Sequence, residues 1–485
     1  MASEAVDVEN VQKEKHDLPI DGDKVDIGSC REDAFGNEEH AQVKYKTLKW
    51  WQCGLLMVAE TVSLGVLALP SAIAALGLGP ALGILIGLGG LATYTGYVTG
   101  QFKWRYPHVS STADAGEVLM GRFGRELLFG SNILYLVFLM ASHILTFTVA
   151  MNTITKHATC SIVFGVVGLV LSFLFALPRT LKGMTWLSAI SFTSIMAALF
   201  LTIIAVGVQN DEKPVKAAVK TDLVTGFTAA SNIVFTFATH NTFFTMMSEL
   251  KEPREFPKSL AMLQGLDLSI YLVASVVIYR YAGEDVTSPA LGSAGPLISR
   301  IAYGIALPTI VIAGVIISHI ACKQIYIRLH AGTARIHTKD FVSVGSWIGI
   351  VGCLWIIAWI IAMSIPVFNS LLSLIVSLFA SWFSFALPGI FWFWMNKGRW
   401  FESPRKILLS CINILAIVVG LTLSRSEFSS KLPFNPPPQR TVRLSQSQGS
   451  LAGTRWIVLY FHEPMGLGNV ETLKLELRKL EKYDY

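Results

Sequence analysis

The stretch AETVSLGVLALP, Ala59 to Pro70, lies inside a long apolar run yet holds an acid, two hydroxyls, a glycine and a proline. Gly65 permits close backbone approach, and Pro70 removes an amide hydrogen bond. The spacing predicts an interrupted helix, whose freed N–H and C=O groups must line a cavity or be covered by protein. A kinked packing helix would carry the same residues. A second stretch, SNIVFTFATHNTFFTMMSEL, Ser231 to Leu250, places Ser231, Asn232, Thr236, Thr239, His240, Asn241, Thr242 and Thr245 in one apolar span. That polarity needs a wet interior or partners on neighbouring helices.

Working outward, apolar runs recur at about 50–76, 79–102, 128–152, 160–177, 185–208, 224–247, 259–281, 300–322, 342–365, 367–395 and 407–423. Each approaches the ~20 residues that cross a ~30 Å hydrocarbon layer, and none alternates as a strand would. The class is an all-α polytopic membrane protein with about eleven helices. Hydrophobic residues make up 52% and charged residues 15%, against roughly 25% charged in soluble domains, which excludes an ordinary soluble enzyme. The two unusual stretches fall in spans one and six. Matching interruptions in two five-helix halves point to an inverted-repeat carrier with its site at the midplane. Half-helix N-termini suit a carboxylate, and freed carbonyls suit an ammonium or a cation.

Charge divides the chain further. Residues 1–43 hold twelve acids against four bases and read as a disordered acidic tail. Residues 44–424 form the membrane domain: a first repeat at about 50–208, a second at about 224–395 and an extra helix at about 407–423. Residues 425–485 form an atypical tail, in which Leu473, Leu477 and Leu480 suggest a short amphipathic helix. With the N-terminus inside, twenty core bases flank the inner face and six the outer, so the N-terminus is expected in the cytoplasm. The scattered cysteines form no C-x-x-C pair, so neither a zinc site nor a disulfide framework is indicated.

The segments KTLKWWQCGLLMVAETVSLGVLALPSAIAALG (46–77), STADAGEVLMGRFGREL (111–127), SHILTF (142–147), SELKEPREFPKSL (248–260), YAGEDVTSPALGSAGP (281–296) and IVIAGVIISHIACKQIY (310–326) are similar to the amino acid/auxin permease family, part of the APC superfamily. Within it the chain most resembles fungal neutral amino acid permeases. The resemblance implies a LeuT-type fold, a 5+5 inverted repeat plus one helix, and secondary active transport of small neutral amino acids. It places substrate at Ser63, Leu64, Gly65 and Val66 in the first span and at Phe235, Thr236, Phe237 and Ala238 in the sixth. Relatives often carry glycine where this chain has Ala238 and Thr239, which leaves the extent of unwinding open. The family usually continues the last helix with apolar residues, so the sequence from about Ser424 is expected to be an alternative gene end.

Glu60 lies about 15 Å into its span and Asp267 about 12 Å into the seventh, counted along ideal helices. An unpartnered carboxylate away from water tends to hold a proton, so either is a coupling site or a structural polar group. His143 and His240 are proton-relay candidates or satisfied interior groups. Ser318 raises sodium through the resemblance, since LeuT-type carriers can bind a cation beside that helix. Fungal relatives usually use protons, so the expected coupling ion is the proton, with sodium the lesser alternative and no other cofactor or metal. Phe147, Phe235 and Phe237 shape a side-chain pocket or pack helices. Gly79, Gly83 and Gly87 suggest close helix packing within the monomer, with a dimer face as the second reading; the oligomeric state is open.

The leading expectation is a proton-coupled importer of neutral amino acids in the plasma membrane, with the vacuolar membrane as the alternative. A nutrient receptor signalling through the acidic tail is the competing class. An enzyme, a channel and a nucleic-acid partner are not indicated, for no nucleophile motif, phosphate loop or ring of pore charges is present.

Overall fold

The computed structural model describes residues 46–179, 184–209, 214–330, 333 and 340–431. The readings of the acidic N-terminal segment and of Leu473, Leu477 and Leu480 fall outside these residues. The described chain is almost wholly helical: α1 (Trp50–Leu76), α2 (Leu78–Arg105), α3 (Thr112–Thr155), α4 (Ser161–Phe175), α5 (Met184–Gln209), α6 (Leu223–Phe235), α7 (His240–Glu249), α8 (Phe256–Ala282), α9 (Pro296–Leu329), α10 (Phe341–Ser364), α11 (Phe368–Ile375), α12 (Leu387–Met395) and α13 (Pro404–Lys431). Two π-helical turns, Val376–Ala380 and Trp382–Ala386, join α11 to α12. Among the described residues nine helical stretches are long and apolar enough to span a membrane. α4 is a shorter apolar helix, and the sixth run is split into α6 and α7.

Burial orders the helices. The apolar window of α1 is 94% buried and that of α9 is 83%, whereas those of α10 and α13 are 28%. α1, α3 and α9, with α7 and the stretch from α11 to α12, therefore form the interior. Large apolar side chains such as Val163, Phe175, Trp186, Ile204, Ile357 and Leu415 stay exposed, an outer surface suited to lipid rather than water. Helix starts follow local chemistry. Ser111 Oγ accepts from Asp114 N at 3.3 Å while Asp114 Oδ2 accepts from Ser111 N at 3.0 Å, a reciprocal cap on α3. Asp222 Oδ2 accepts from Thr225 N at 3.0 Å and caps α6.

Three expectations are corrected. The first span is not interrupted, since α1 runs unbroken through Gly65 with Pro70 inside it. An opened helix would leave several backbone groups unpaired, each costing several kcal/mol away from water, whereas an interior proline costs about 3 kcal/mol. The glycine stripe packs against protein only at its start: a Cβ on Gly79 would lie 3.2 Å from Ala217 O, whereas one on Gly83 or Gly87 would meet nothing within 4 Å. Gly87 instead lines an open apolar groove of about 690 Å³ between α2, α6 and α13. Finally, α13 continues past Ser424 to Lys431.

Candidate functional site

The break between α6 and α7 forms without glycine. Thr236 N, Phe237 N and Ala238 N bond to Ile233 O, Val234 O and Phe235 O at 3.1–3.2 Å, an i→i−3 tightening of the helix end. Thr239 N then bonds to Phe237 O at 3.1 Å. Thr236 (φ −65°) and Thr239 (φ −104°) keep right-handed backbone, so no position here requires the left-handed freedom of glycine. Two tyrosines from other helices hold the break. Tyr271 Oη on α8 donates to Thr236 O at 3.1 Å, and Tyr135 Oη on α3 donates to Ala238 O at 2.6 Å. Tyr135 is itself stacked on Phe383 (centroids 5.6 Å apart, 10° between planes), in the second π-turn.

α1 crosses beside the break at Gly65. A Cβ there would lie 2.8 Å from Tyr271 Oη and 3.2 Å from Thr236 Cα, so the missing side chain lets α1 and the break touch. Where they meet is a small cavity lined by Glu60, Leu64, His143, Phe235, Ala238 and Thr239, with Thr61, Leu139 and Ile317 completing the wall. About 20 Å³ is open to a water's centre, roughly one water, so the walls must part to admit an amino acid. Glu60 Oε2 and Thr239 Oγ1 are buried there without a hydrogen-bond partner. Glu60 also lies against the Thr242 hydroxyl and near Tyr135. Asp267 is near enough for its charge to interact with that of Glu60. It sits beside Thr61 and Tyr271, neither of its oxygens in hydrogen-bonding geometry with a partner.

Of the other sequence-predicted residues His143 is on this cavity's wall, and the rest fall around it. His143 Nδ1 meets Ile310 O at 2.9 Å; a carbonyl only accepts, so Nδ1 carries the hydrogen and Nε2 is the ring's acceptor. His240 Nε2 meets Ala92 O and Thr95 Oγ1, each at 3.0 Å, which ties the start of α7 to α2 instead of the cavity. Phe237 packs edge-on to Tyr271 at 5.7 Å. Ser63, Val66 and Thr236 are buried behind the lining. Phe147 lies against Gly168 of α4, its ring 2.8 Å from where a Cβ would sit. Ser318 Oγ lies 3.8 Å from Cys322 Sγ. Tyr135 and Tyr271 escaped sequence reasoning, and Thr61 and Thr242 were legible only as polar residues of their spans, because a hydroxyl among apolar neighbours does not reveal the carbonyl or acid it reaches.

Further along α7 the polar contacts continue. Gln324 Nε2 donates to Thr245 Oγ1 at 3.2 Å, and Asn132 Nδ2 donates to Gln324 Oε1 at 2.9 Å. Glu249 and Lys323 form an ion pair, each side chain only 2% exposed. Beside it Leu48 and Leu250 form a short β-bridge, with Leu48 N bonded to Glu249 O at 3.0 Å and Lys251 N to Leu48 O at 2.9 Å. The segment before α1 is thus tied to the end of α7. A cavity of about 110 Å³, lined in part by Thr245, Lys323, Gln324 and Arg328, opens next to these contacts.

Comparison with known proteins agrees with this architecture. The family described as transmembrane amino acid transporter protein matches residues 46–428. The N amino acid transport system protein of Neurospora crassa is 35% identical over 395 residues, 79% of this chain and 84% of the relative. A transmembrane transporter of Gibberella moniliformis is 29% identical over 432 residues, covering 84% and 90%. Among solved structures, MhsT in complex with L-phenylalanine matches with a TM-score of 0.55 at 13% identity, over 80% of this chain and all of that one. A Na+-coupled sialic acid symporter in a substrate-bound outward-open state matches with a TM-score of 0.50 at 14% identity, over 78% and 90%. At such identities the likeness is one of fold, and that fold is LeuT-type.

Proposed function

The chain belongs to the transmembrane amino acid transporter family, and on that premise we propose that it imports small neutral amino acids by proton symport with alternating access. The observation that carries this reading is the Glu60 carboxylate, buried with an unpartnered oxygen on the wall of the cavity where α1 meets the α6–α7 break. The rest of the wall is largely apolar, through Leu64, Leu139, Phe235, Ala238 and Ile317, which favours an uncharged substrate side chain. Movement is needed because the cavity is too small for an amino acid. The tie between Leu48 and Leu250 suits joint motion of α1 and α7, with the Glu249–Lys323 pair separating on the proposed cytoplasmic face.

For the coupling proton we favour one of the two neighbouring buried carboxylates, Glu60 or Asp267. His240 is tied by Nε2 to α2 and serves to position α7. The plasma membrane is the proposed location, with the N-terminus in the cytoplasm as the distribution of bases favours. The test is uptake by purified protein in liposomes. Labelled L-leucine should accumulate under an inward proton gradient and lose that accumulation when a protonophore is added. Accumulation that needs sodium, or none under either gradient, overturns the reading.

A further inference from the structure

An amino acid's ammonium group offers three donors and no acceptor, so it must find oxygen lone pairs in a pocket. In the α6–α7 break every carbonyl from Phe235 to Thr239 already has a donor. Phe235 O takes Ala238 N, Phe237 O takes Thr239 N, and Thr239 O takes Thr242 N, at 3.0–3.2 Å. Thr236 O and Ala238 O take the Tyr271 and Tyr135 hydroxyls. α1 is continuous, so its interior carbonyls face its own amides. The exception is Val66 O, opposite the nitrogen of Pro70, and Val66 does not line the cavity. Two oxygens on the wall, Glu60 Oε2 and Thr239 Oγ1, are buried without a partner; His143, whose Nε2 is an uncharged acceptor, also lines it, but of these groups Glu60 alone can supply a full counter-charge. No lysine or arginine is among the described residues lining the cavity. The titratable groups facing Glu60 there are His143 and Tyr135 from α3 and Asp267 from α8.

We propose that Glu60 is the counter-ion of the substrate's α-ammonium group and that the Thr239 hydroxyl is its second acceptor. This rests on the reading of the cavity as an amino acid site. It assigns recognition of the amino group to a side-chain carboxylate from an unbroken helix, the backbone carbonyls of the break being engaged by the two tyrosines and by backbone amides. A charge-assisted contact of this kind makes the amino group the chief determinant of affinity. With the ammonium on Glu60, the coupling proton is left to Asp267.

The test compares binding of L-leucine and of 4-methylpentanoate, which has the same skeleton without the amino group, to purified full-length protein. Wild type should prefer L-leucine by roughly tenfold or more, the scale of a buried charge-assisted pair. In Glu60→Gln that preference should collapse toward parity, and Glu60→Asp should restore part of it. Should Glu60→Gln not fold, Thr239→Val reads the same site: L-leucine weakens while 4-methylpentanoate is unmoved. A preserved preference in Glu60→Gln, or unchanged L-leucine affinity in Thr239→Val, overturns the proposal. Wild type that binds neither compound overturns the transport reading and this assignment together, whereas L-leucine binding that ignores Glu60 overturns the assignment alone.

Discussion

Gly65 and Gly83 are both helical glycines in apolar sequence, and their surroundings give them opposite sensitivities. A methyl group on Gly65 would press on Tyr271 Oη at 2.8 Å and on the backbone of Thr236 at 3.2 Å. Alanine raises helix propensity by about 1 kcal/mol over glycine. Overpacking against backbone costs about 1–3 kcal/mol, and here it would also push α1 from the break. Gly65→Ala should therefore lower the unfolding midpoint of the purified protein and depress uptake. Gly83→Ala, with nothing within 4 Å, should leave uptake unchanged and hold or slightly raise the midpoint; equal behaviour of the two variants would contradict the packing. Legibility at this scale followed physical expense. Glu60 stood out because a charge among apolar residues needs a reason, and it does line the cavity. Tyr135 and Tyr271 gave no such signal, since their value lies in reaching one carbonyl each on a distant element.

Between elements, the same logic explains why one interruption exists and the other does not. Polarity from Ser231 to Thr245 marked the sixth span, and the break falls inside it at Thr236–Thr239. Gly65 and Pro70 marked the first span equally well, yet glycine serves contact there and proline is absorbed in a continuous helix. Composition alone does not separate a helix that opens from one that must be approached closely. Nothing in the sequence at the far end of α7 reveals the partner of Glu249, because Lys323 lies on α9. With both side chains 2% exposed, removing one partner leaves a buried charge, a loss of about 3–5 kcal/mol. Glu249→Gln should thus strongly lower thermal stability in detergent. The double variant Glu249→Gln/Lys323→Met should recover much of the loss, because an apolar side chain needs no counter-ion. A double variant no more stable than Glu249→Gln alone would mean that the pair is not what the fold depends on there.

For the whole molecule, the succession of spans was legible because lipid demands long apolar helices, and their boundaries follow where that demand ends. The interior order was not, since α1 and α10 have similar hydropathy, 1.8 and 2.2, but their windows are 94% and 28% buried. What separates them is which neighbours surround each one. Orientation rests on a different quantity, the uneven flanking bases, and the cysteines offer a direct test. Cys53 and Cys322 are buried and the exposed Cys353 and Cys411 lie within the apolar helices α10 and α13, whereas Cys160 is exposed in the turn between α3 and α4. Lys156 and His157, also exposed, precede it in that turn. With the N-terminus inside, α1, α2 and α3 carry the chain across three times, so Cys160 faces outward while Cys30 stays within. A membrane-impermeant maleimide applied to intact cells should label the wild type, and Cys160→Ser should abolish that labelling. Opening the membrane should then expose Cys30, so that Cys160→Ser gains label only after permeabilisation. Label on Cys160→Ser in intact cells, lost on further replacement of Cys30, would reverse the assigned orientation. The Glu249–Lys323 pair would then lie on the outer face, and the direction of release proposed for α1 and α7 would reverse with it.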